Sequence, residues 1–476
     1  MYDCIIIGCG VVGAATAYAL SHYRLNIGIL EAENDVAMGT TKANSAIVHA
    51  GYDPQPGTLM ARLNVEGASM MPGLCARLDI PYRQTGSLVL AFDKQDLAHL
   101  QKLYDRGVQN GVPGLALWDA ETLHEAEPNV SDTACGALYA PTAGIVSPWE
   151  LCLALAETAV RNGARLHLQN RVKAIEKTED GFLVTTDRGQ HETRTVFNAA
   201  GIHADAVHNL VCRPDFTITP NRGQYFLLDK SQGDLVKHVI FQCPTAAGKG
   251  VLVAPTVHGN LIVGPDAADA RDASTTGAGL AFVKAQAAKS VPGADYRQNI
   301  RNFAGLRAIA DREDFILRQV TDTPGFFDLA GIKSPGLTAA PAIGRYAAEL
   351  LRQSGMVLTE KTEIVDTRHV TRFRHMDAAQ RAALIAQNPA YAHVICRCET
   401  VTEGEILDCL QGPIPPVSID GVKRRVGAGM GRCQGGFCGP RVLEILAKAQ
   451  QRPWESVEQD GVGSYILTGQ TKEGTP

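Results

Sequence analysis

Tyr2-Asp-Cys-Ile-Ile-Ile-Gly-Cys-Gly-Val-Val-Gly13 opens the chain and decides its fold. Tyr2 to Ile7 is a short apolar run rich in β-branched residues, as a buried parallel strand requires. Gly8-x-Gly10-x-x-Gly13 follows it, and Val11 to Tyr23 is Ala-rich and helical in pattern. Gly8 permits a tight turn, Gly10 lets the backbone approach a pyrophosphate, and Gly13 lets helix and strand pack closely. The helix N-terminus, with Val12 among its first residues, offers free N–H groups and positive partial charge to phosphates. Asn26-Ile-Gly-Ile-Leu30 reads as the next strand, and Glu31 ends it eighteen residues after Gly13. A carboxylate at that distance accepts hydrogen bonds from a ribose diol. Strand, helix and acid together predict a dinucleotide site rather than a ligand-free glycine turn.

The other end of the chain carries a different signal. Cys396 and Cys398 form a C-x-C pair, and Cys433 and Cys438 a C-x4-C pair within Gly427–Pro440. Four thiolates in two close pairs can wrap one small inorganic centre, and iron–sulfur clusters are held by four Cys. Zinc and a redox disulfide are the alternatives, but zinc sites favour C-x2–4-C spacing, so C-x-C argues against zinc. Pro440 suits a first helical position after Cys438, and that helix would aim its positive end at an anionic centre. The glycines at 427, 429, 431, 435 and 436 let backbone N–H groups approach the sulfurs. Cys409 falls on a helix beyond the first pair, where core packing is its expected role.

Length and composition bound the rest. A chain of 476 residues needs two or three domains. Its 45% hydrophobic and 20% charged content is that of an ordinary globular protein. The net charge of −5 gives no reason to expect nucleic acid or an anionic membrane. Twelve Cys at this length read as reduced thiols, some of them metal ligands, in a cytoplasmic protein. The apolar N-terminus is interrupted by glycines and lacks a basic leader, so neither signal peptide nor transmembrane span is expected. Docking on a membrane through a partner stays open.

Along the chain, Gly86–Phe92 reads as a strand and 93–110 as a charged helix. Ser147 caps a helix through about Asn162, with Pro148 in its first turn and Glu150 three after the cap. Strands follow near 165–177 and 182–187, and Thr195–Gly201 is a strand ending on glycine. Residues 206–304 are strand-rich. Gly331–Gly344 is another glycine turn, with a helix beginning near Pro341. After about residue 354 a polar stretch leads to a helix near 377–387. Thr402-Glu-Gly-Glu405 is a capping box, and the last twenty residues read as a loosely held tail.

The fingerprint with Glu31, the segment Gly39–Gly51, Asn198-Ala-Ala-Gly201 and the 331–344 turn together resemble the D-amino-acid-oxidase superfamily of flavoproteins. Within it the chain is similar to FAD-dependent glycerol-3-phosphate dehydrogenases of the anaerobic, iron–sulfur-bearing kind, and also to L-2-hydroxyglutarate oxidases. The tail module resembles the domain shared with bacterioferritin-associated ferredoxin, which implies a 2Fe–2S cluster. The resemblance implies an α/β fold: a Rossmann-like FAD-binding domain with an inserted mixed-sheet substrate domain and a small helical C-terminal 2Fe–2S domain. The expected division is 1–75, 143–205 and 305–352 for FAD; 76–142 and 206–304 for substrate; a linker at 353–390; the cluster domain at 391–455; and a tail at 456–476.

By the same resemblance Thr40, Thr41, Asn44 and Ser45 line the pyrophosphate and flavin. Gly336, Leu337 and Thr338 lie by its pyrimidine end, Val172 meets the adenine, and Gly201 closes the second glycine turn. His49 is implied beside the flavin as the base, a role imidazole suits near neutral pH. Arg307 is implied as the grip on an anionic substrate group, with Arg301 and Arg312 as alternatives. Lys333 and His258 are further candidates, one two residues after Gly331 and the other on the substrate domain. The leading expectation is oxidation of sn-glycerol 3-phosphate to dihydroxyacetone phosphate, with electrons leaving through the cluster to a protein acceptor, a flavoprotein or a quinone-linked subunit. A 2-hydroxy-acid dehydrogenase, an amino-acid or amine dehydrogenase subunit, and a non-catalytic electron-transfer module are the rival readings.

Overall fold

The strand Tyr2–Ile7 lies at the centre of an eight-stranded sheet in the computed structural model, which describes residues 1–244 and 250–469. The strand order is Val172–Thr178, Gly181–Thr186, Gly189–Asn198, Tyr2–Ile7, Ile27–Leu30 and Arg165–His167. Phe326–Ala330 joins through Gly189–Asn198, and Ile316–Gln319 pairs with Phe326–Ala330. Tyr2–Ile7 runs parallel to both neighbours, with Ile7 opposite Leu30 on one side and Asn198 on the other. Parallel strands in register end on a common edge, where open α/β sheets bind ligands. Ile5, Ile6, Ile29 and Leu30 are fully buried, and each stabilises the core by about 1.5–3 kcal/mol.

Four helices cover this sheet: Val11–Leu20, Leu59–Arg77, Pro148–Arg161 and Gly336–Gln353. A nine-stranded mixed sheet forms the second layer, built from segments 87–140 and 218–310. Its longest pairing sets Ile218–Leu228 antiparallel to Asn299–Ala310. The expected boundary at 304/305 therefore falls inside a strand that belongs to the second sheet along its whole length. The C-terminal module packs the helices Glu403–Leu410, Ile419–Val426 and Gly439–Ala449 around its own apolar cluster, with Ile406, Val422 and Leu446 fully buried.

Several local expectations change in the fold. The last glycine-turn helix begins at Gly336 rather than near Pro341; Pro341 sits inside it and leaves the Leu337 carbonyl without its usual donor. Ser147 occupies the N-cap position of Pro148–Arg161, yet its hydroxyl makes no capping bond, and Glu150 turns to Arg372 rather than back to the cap. The capping box at Thr402 forms as expected. The segment after residue 456 is not a loose tail as far as residue 469. Val457 and Glu458 are buried, Asn34 donates to Glu458, and Asp460 bridges Lys42 and Arg424. Residues 470–476 lie outside the described residues.

One buried carboxylate joins the module to the first sheet. Asp35 accepts from Arg425 Nη1 and Nη2 at 2.9 and 2.8 Å and from Arg424 Nη2 at 3.0 Å. Burial alone would raise its pKa, but Arg425 and then Arg424 outweigh that and lower it to about 2. A depressed folded pKa stabilises above the unfolded value of about 3.9 and is lost as the pH falls toward 2. Asp35→Asn leaves the buried Arg425 guanidinium without its counter-charge and Arg424 with Asp460 alone, and is expected to destabilise by about 3–5 kcal/mol. Thermal unfolding and limited proteolysis between core and module check this; unchanged melting and unchanged cleavage would refute the anchoring role.

Candidate active site and thiol centre

A cleft of about 740 Å³ opens along the common edge of the first sheet and runs against the second. Gly8, Gly10, Val12, Glu31, Val172 and Gly201 line one end. Gly8 has φ +97°, and a Cβ there would lie 2.6 Å from the Ala199 carbonyl oxygen. Gly13 does not line the cleft; a Cβ on it would come 2.0 Å from the Gly8 oxygen, so its role is to let the helix sit against the turn. Thr41 Oγ1 accepts from Val11 N–H at 2.9 Å and ties the 40s loop to the helix N-terminus. Glu31 accepts from the N–H groups of Cys9 at 2.6 Å and Glu33 at 3.0 Å. Burial raises its pKa against those bonds, and hydroxyl donors from a ribose would favour its charged form again.

The other end is walled by Thr40, Asn44, Ser45, His49, Lys333, Gly336, Leu337 and Arg307. Thr338 sits behind this wall, where its hydroxyl accepts from His49 N–H at 2.9 Å and donates to the Ile47 carbonyl at 3.3 Å. Asn64 donates to the His49 carbonyl at 2.7 Å, and Ser334 Oγ lies 3.2 Å from His49 Nε2. Phe241 stacks on the imidazole at 5.8 Å. The His49 ring is thus held from its backbone, its tip and its face.

Arg307 reaches the cleft from the second sheet. Its register partner Asn221 accepts from Nη1 at 2.5 Å, and the Asp266 carbonyl accepts from Nη2 at 3.1 Å. Gly223 supplies the space: a Cβ there would sit 2.2 Å from Nη2. Gly305, one strand step back, lets the loop carbonyl of Ala43 approach; a Cβ would meet it at 1.8 Å. Thr40 Oγ1 donates to the Leu306 carbonyl at 2.6 Å. The two sheets therefore close on each other at the arginine.

Tyr225, two residues after Gly223, was not foreseen. It lines the cleft, stacks on Phe303 at 4.8 Å and shares a 3.1 Å hydroxyl contact with Ser45. Its signal was the alternation of Asn221, Gly223 and Tyr225 on one strand face, which becomes informative once Asn221 is known to oppose Arg307. His258 does not join this group. It stands in the loop before Leu261–Gly264, buried against Trp149 in a separate cavity, and Arg301 faces the same cavity.

The four C-terminal thiols converge in two pairs. Cys398 and Cys433 sulfurs lie 3.8 Å apart, and Cys396 hydrogen-bonds with Cys438. All four are free thiols. That bond, together with the N–H groups of Gly429 and Glu399, lowers the Cys396 pKa to about 6 against burial. The N–H groups of Phe437, Gly435 and Gly436 lower that of Cys433, aided by Cys398. Backbone donors aimed at sulfur stabilise thiolate, the form that ligates metal. Among the described residues no three His, Cys, Asp or Glu side chains gather as a single-ion site. Two thiol pairs suit a two-iron centre, in which each iron takes two protein ligands. Cys409 is packed in the module, and burial raises its pKa to about 12. Of the other seven, six are buried and Cys135 is half-buried.

Comparison with known proteins agrees with both sites. Residues 3–350 match the FAD dependent oxidoreductase family, and residues 394–448 match the BFD-like [2Fe-2S] binding domain. A glycerol 3-phosphate dehydrogenase of Caloramator mitchellensis is 48% identical over 99% of this chain and 99% of its own length. The structure of a dithionite-reduced L-alpha-glycerophosphate oxidase from Mycoplasma pneumoniae with FAD bound superposes with TM-score 0.73 at 33% identity, over 77% of this chain and 98% of that one. The mitochondrial L-2-hydroxyglutarate dehydrogenase of Homo sapiens is 34% identical over 56% of this chain and 61% of its own length. The long cleft with its glycine turns fits FAD, and the paired thiols with their backbone donors fit a 2Fe–2S cluster. The chain belongs to the FAD dependent oxidoreductase family and carries a BFD-like 2Fe–2S domain behind its catalytic core.

Proposed function

We propose that the enzyme oxidises sn-glycerol 3-phosphate to dihydroxyacetone phosphate and passes the electrons through its 2Fe–2S module to a protein acceptor. The observation that carries this reading is the end-to-end likeness to the C. mitchellensis dehydrogenase, which spans the catalytic core and the module together. FAD supplies the two-electron acceptor for the hydride lost from the substrate carbon, and the cluster supplies one-electron steps.

The residues then divide the work. Arg307 grips the phosphate: its bonds to Asn221 and to the Asp266 and Arg222 carbonyls fix the fork on the cleft wall. His49 takes the hydroxyl proton of the substrate at Nε2, with Ser334 beside it as a relay. Lys333 adds positive charge on the same wall. Gly8, Gly10, Glu31, Thr40, Thr41, Asn44, Ser45, Gly336 and Leu337 hold FAD, with Thr338 bracing His49 from behind. Cys398 is exposed, and Phe437 next to Cys438 is 88% exposed, so the acceptor docks on that face. Among the described residues no helix is long and apolar enough to cross a membrane, and any membrane association runs through the partner.

An L-2-hydroxyglutarate dehydrogenase is the second reading, because a guanidinium grips carboxylate as well as phosphate. Steady-state assays with glycerol 3-phosphate, L-2-hydroxyglutarate and amino acids, using a dye acceptor, separate the readings. Glycerol 3-phosphate is expected to be turned over best; a preference for the hydroxy acid would overturn the assignment.

Substitutions at three residues test these roles. Arg307→Ala is expected to raise KM about 10- to 150-fold through the lost charged bonds, with partial recovery in Arg307→Lys; an unmoved KM rejects the grip. His49→Ala is expected to slow anaerobic bleaching of the bound FAD by about 100- to 10,000-fold with little change in substrate affinity. Wild-type bleaching rates would remove it as the base. Cys398→Ser is expected to lose the cluster and the reduction of one-electron acceptors while substrate still bleaches the flavin. Iron and sulfide analysis reads the first and rapid mixing the second; a variant with full iron content counts against the ligand assignment.

A further inference from the structure

His258 and Arg301, which the flavin cleft leaves unused, meet in a second cavity of about 470 Å³. It lies where the core meets the module. Lys42, Ala43, Asn44 and Ala46 line both the cleft and this cavity, so the two share a wall. The opposite wall includes Lys423, Arg424, Met430 and Gln434, the last of these adjacent to Cys433.

Three buried polar atoms on residues lining the cavity have no hydrogen-bond partner among the described residues: Ser147 Oγ, His258 Nε2 and Arg424 Nε. The nearest carboxylate to His258 is Glu150 at 3.8 Å, beyond hydrogen-bond length. Orphaned buried groups are uncommon and carry a desolvation cost that a ligand would relieve. The cavity's carboxylates are already committed. Glu150 is held by Arg372, Glu399 by Lys230 and Arg374, Asp420 by Lys423, and Asp460 by Lys42 and Arg424. Glu405 is engaged in the Thr402 capping box. Arg301, at the exposed edge, has only the Gln434 side-chain oxygen at 3.3 Å. Burial chiefly depresses the Lys423 pKa; Asp420 opposes this, and Arg301 adds to it. Lys42, Arg372, Arg374, Lys423, Arg424 and Arg425 all have carboxylate partners, so among the described residues Arg301 is the lining cation left without one, and Trp149 stacks on His258 at 5.7 Å with 8° between the planes.

We propose that this cavity binds a small molecule bearing a phosphate or carboxylate group, taken up by Arg301 and the three orphaned atoms and backed by Trp149. Ser147, His258 and Arg301 belong to the core, while Arg424 belongs to the module. Such a ligand would bridge the two bodies and tune how firmly the cluster domain docks. The inference does not depend on which substrate the cleft takes.

Equilibrium dialysis of the FAD- and cluster-loaded enzyme against labelled inorganic phosphate tests it. Two saturable sites per chain are expected, one at Arg307 and one here. Arg301→Gln is expected to weaken one site about tenfold or more and to leave the other intact. Ser147→Ala, which adds no bulk and cannot disturb a cap that does not form, is expected to weaken the same site more modestly. Displacement of the second phosphate by methyl phosphate alone assigns a phosphate ester, and by succinate alone a carboxylate. A single site abolished by Arg307→Ala, two sites indifferent to Arg301→Gln and Ser147→Ala, or displacement by neither competitor would overturn the proposal.

Discussion

The arrangement of this molecule depends on one buried carboxylate. Asp35 holds Arg424 and Arg425 from almost 400 residues away in sequence and fixes the cluster module against the first sheet. A buried ion pair adds little net stability over an apolar contact, but it is intolerant of mispairing. Its value lies in position. Asp35 sits four residues after Glu31 and five before Thr40, so the segment that lines the cleft also anchors the module. Asp460 repeats the device by bridging Lys42 of that segment to Arg424. The cleft and the thiol centre are therefore registered by the same stretch of backbone.

The second sheet obeys a related constraint. Arg307 reaches the cleft across Gly223, where a Cβ would collide with its Nη2, while Gly305 lets the Ala43 carbonyl close on the same strand. The guanidinium is fixed by Asn221 and the Asp266 carbonyl before any substrate arrives. Preorganisation of this kind lets binding energy be used at the reacting centre rather than on ordering the grip. Lys42 to Ala46 then form the partition between the cleft and the cavity that faces the module.

What could be read from the sequence was local chemistry. Gly8, Gly10, Gly13 and Glu31 act within thirty residues, and the four Cys announce themselves by type and spacing. Thr402 with Glu405 formed its capping box because both partners lie on one helical turn. Ser147 with Glu150 has the same spacing but forms no box: Arg372 takes the glutamate from 222 residues away, and the Ser147 hydroxyl caps nothing. That Arg307 and His49 would line the cleft was legible only through family likeness, because neither has a local pattern. Tyr225, Asp35 and Asp460 were illegible: their roles arise from strand register and from ion pairs that cross domains. The polar C-terminal stretch misled for the same reason, as its acids are buried by partners that no local window contains.

The central claim is that substrate-derived electrons cross from the cofactor cleft to the thiol centre within one chain. Anaerobic freeze-quench of the fully loaded enzyme with glycerol 3-phosphate, read by optical and electron paramagnetic resonance spectra in one time course, tests it most directly. Loss of flavin colour is expected first, followed by the signal of a reduced 2Fe–2S cluster in the same molecules, without any added carrier. Flavin that bleaches while the cluster stays oxidised throughout would contradict it.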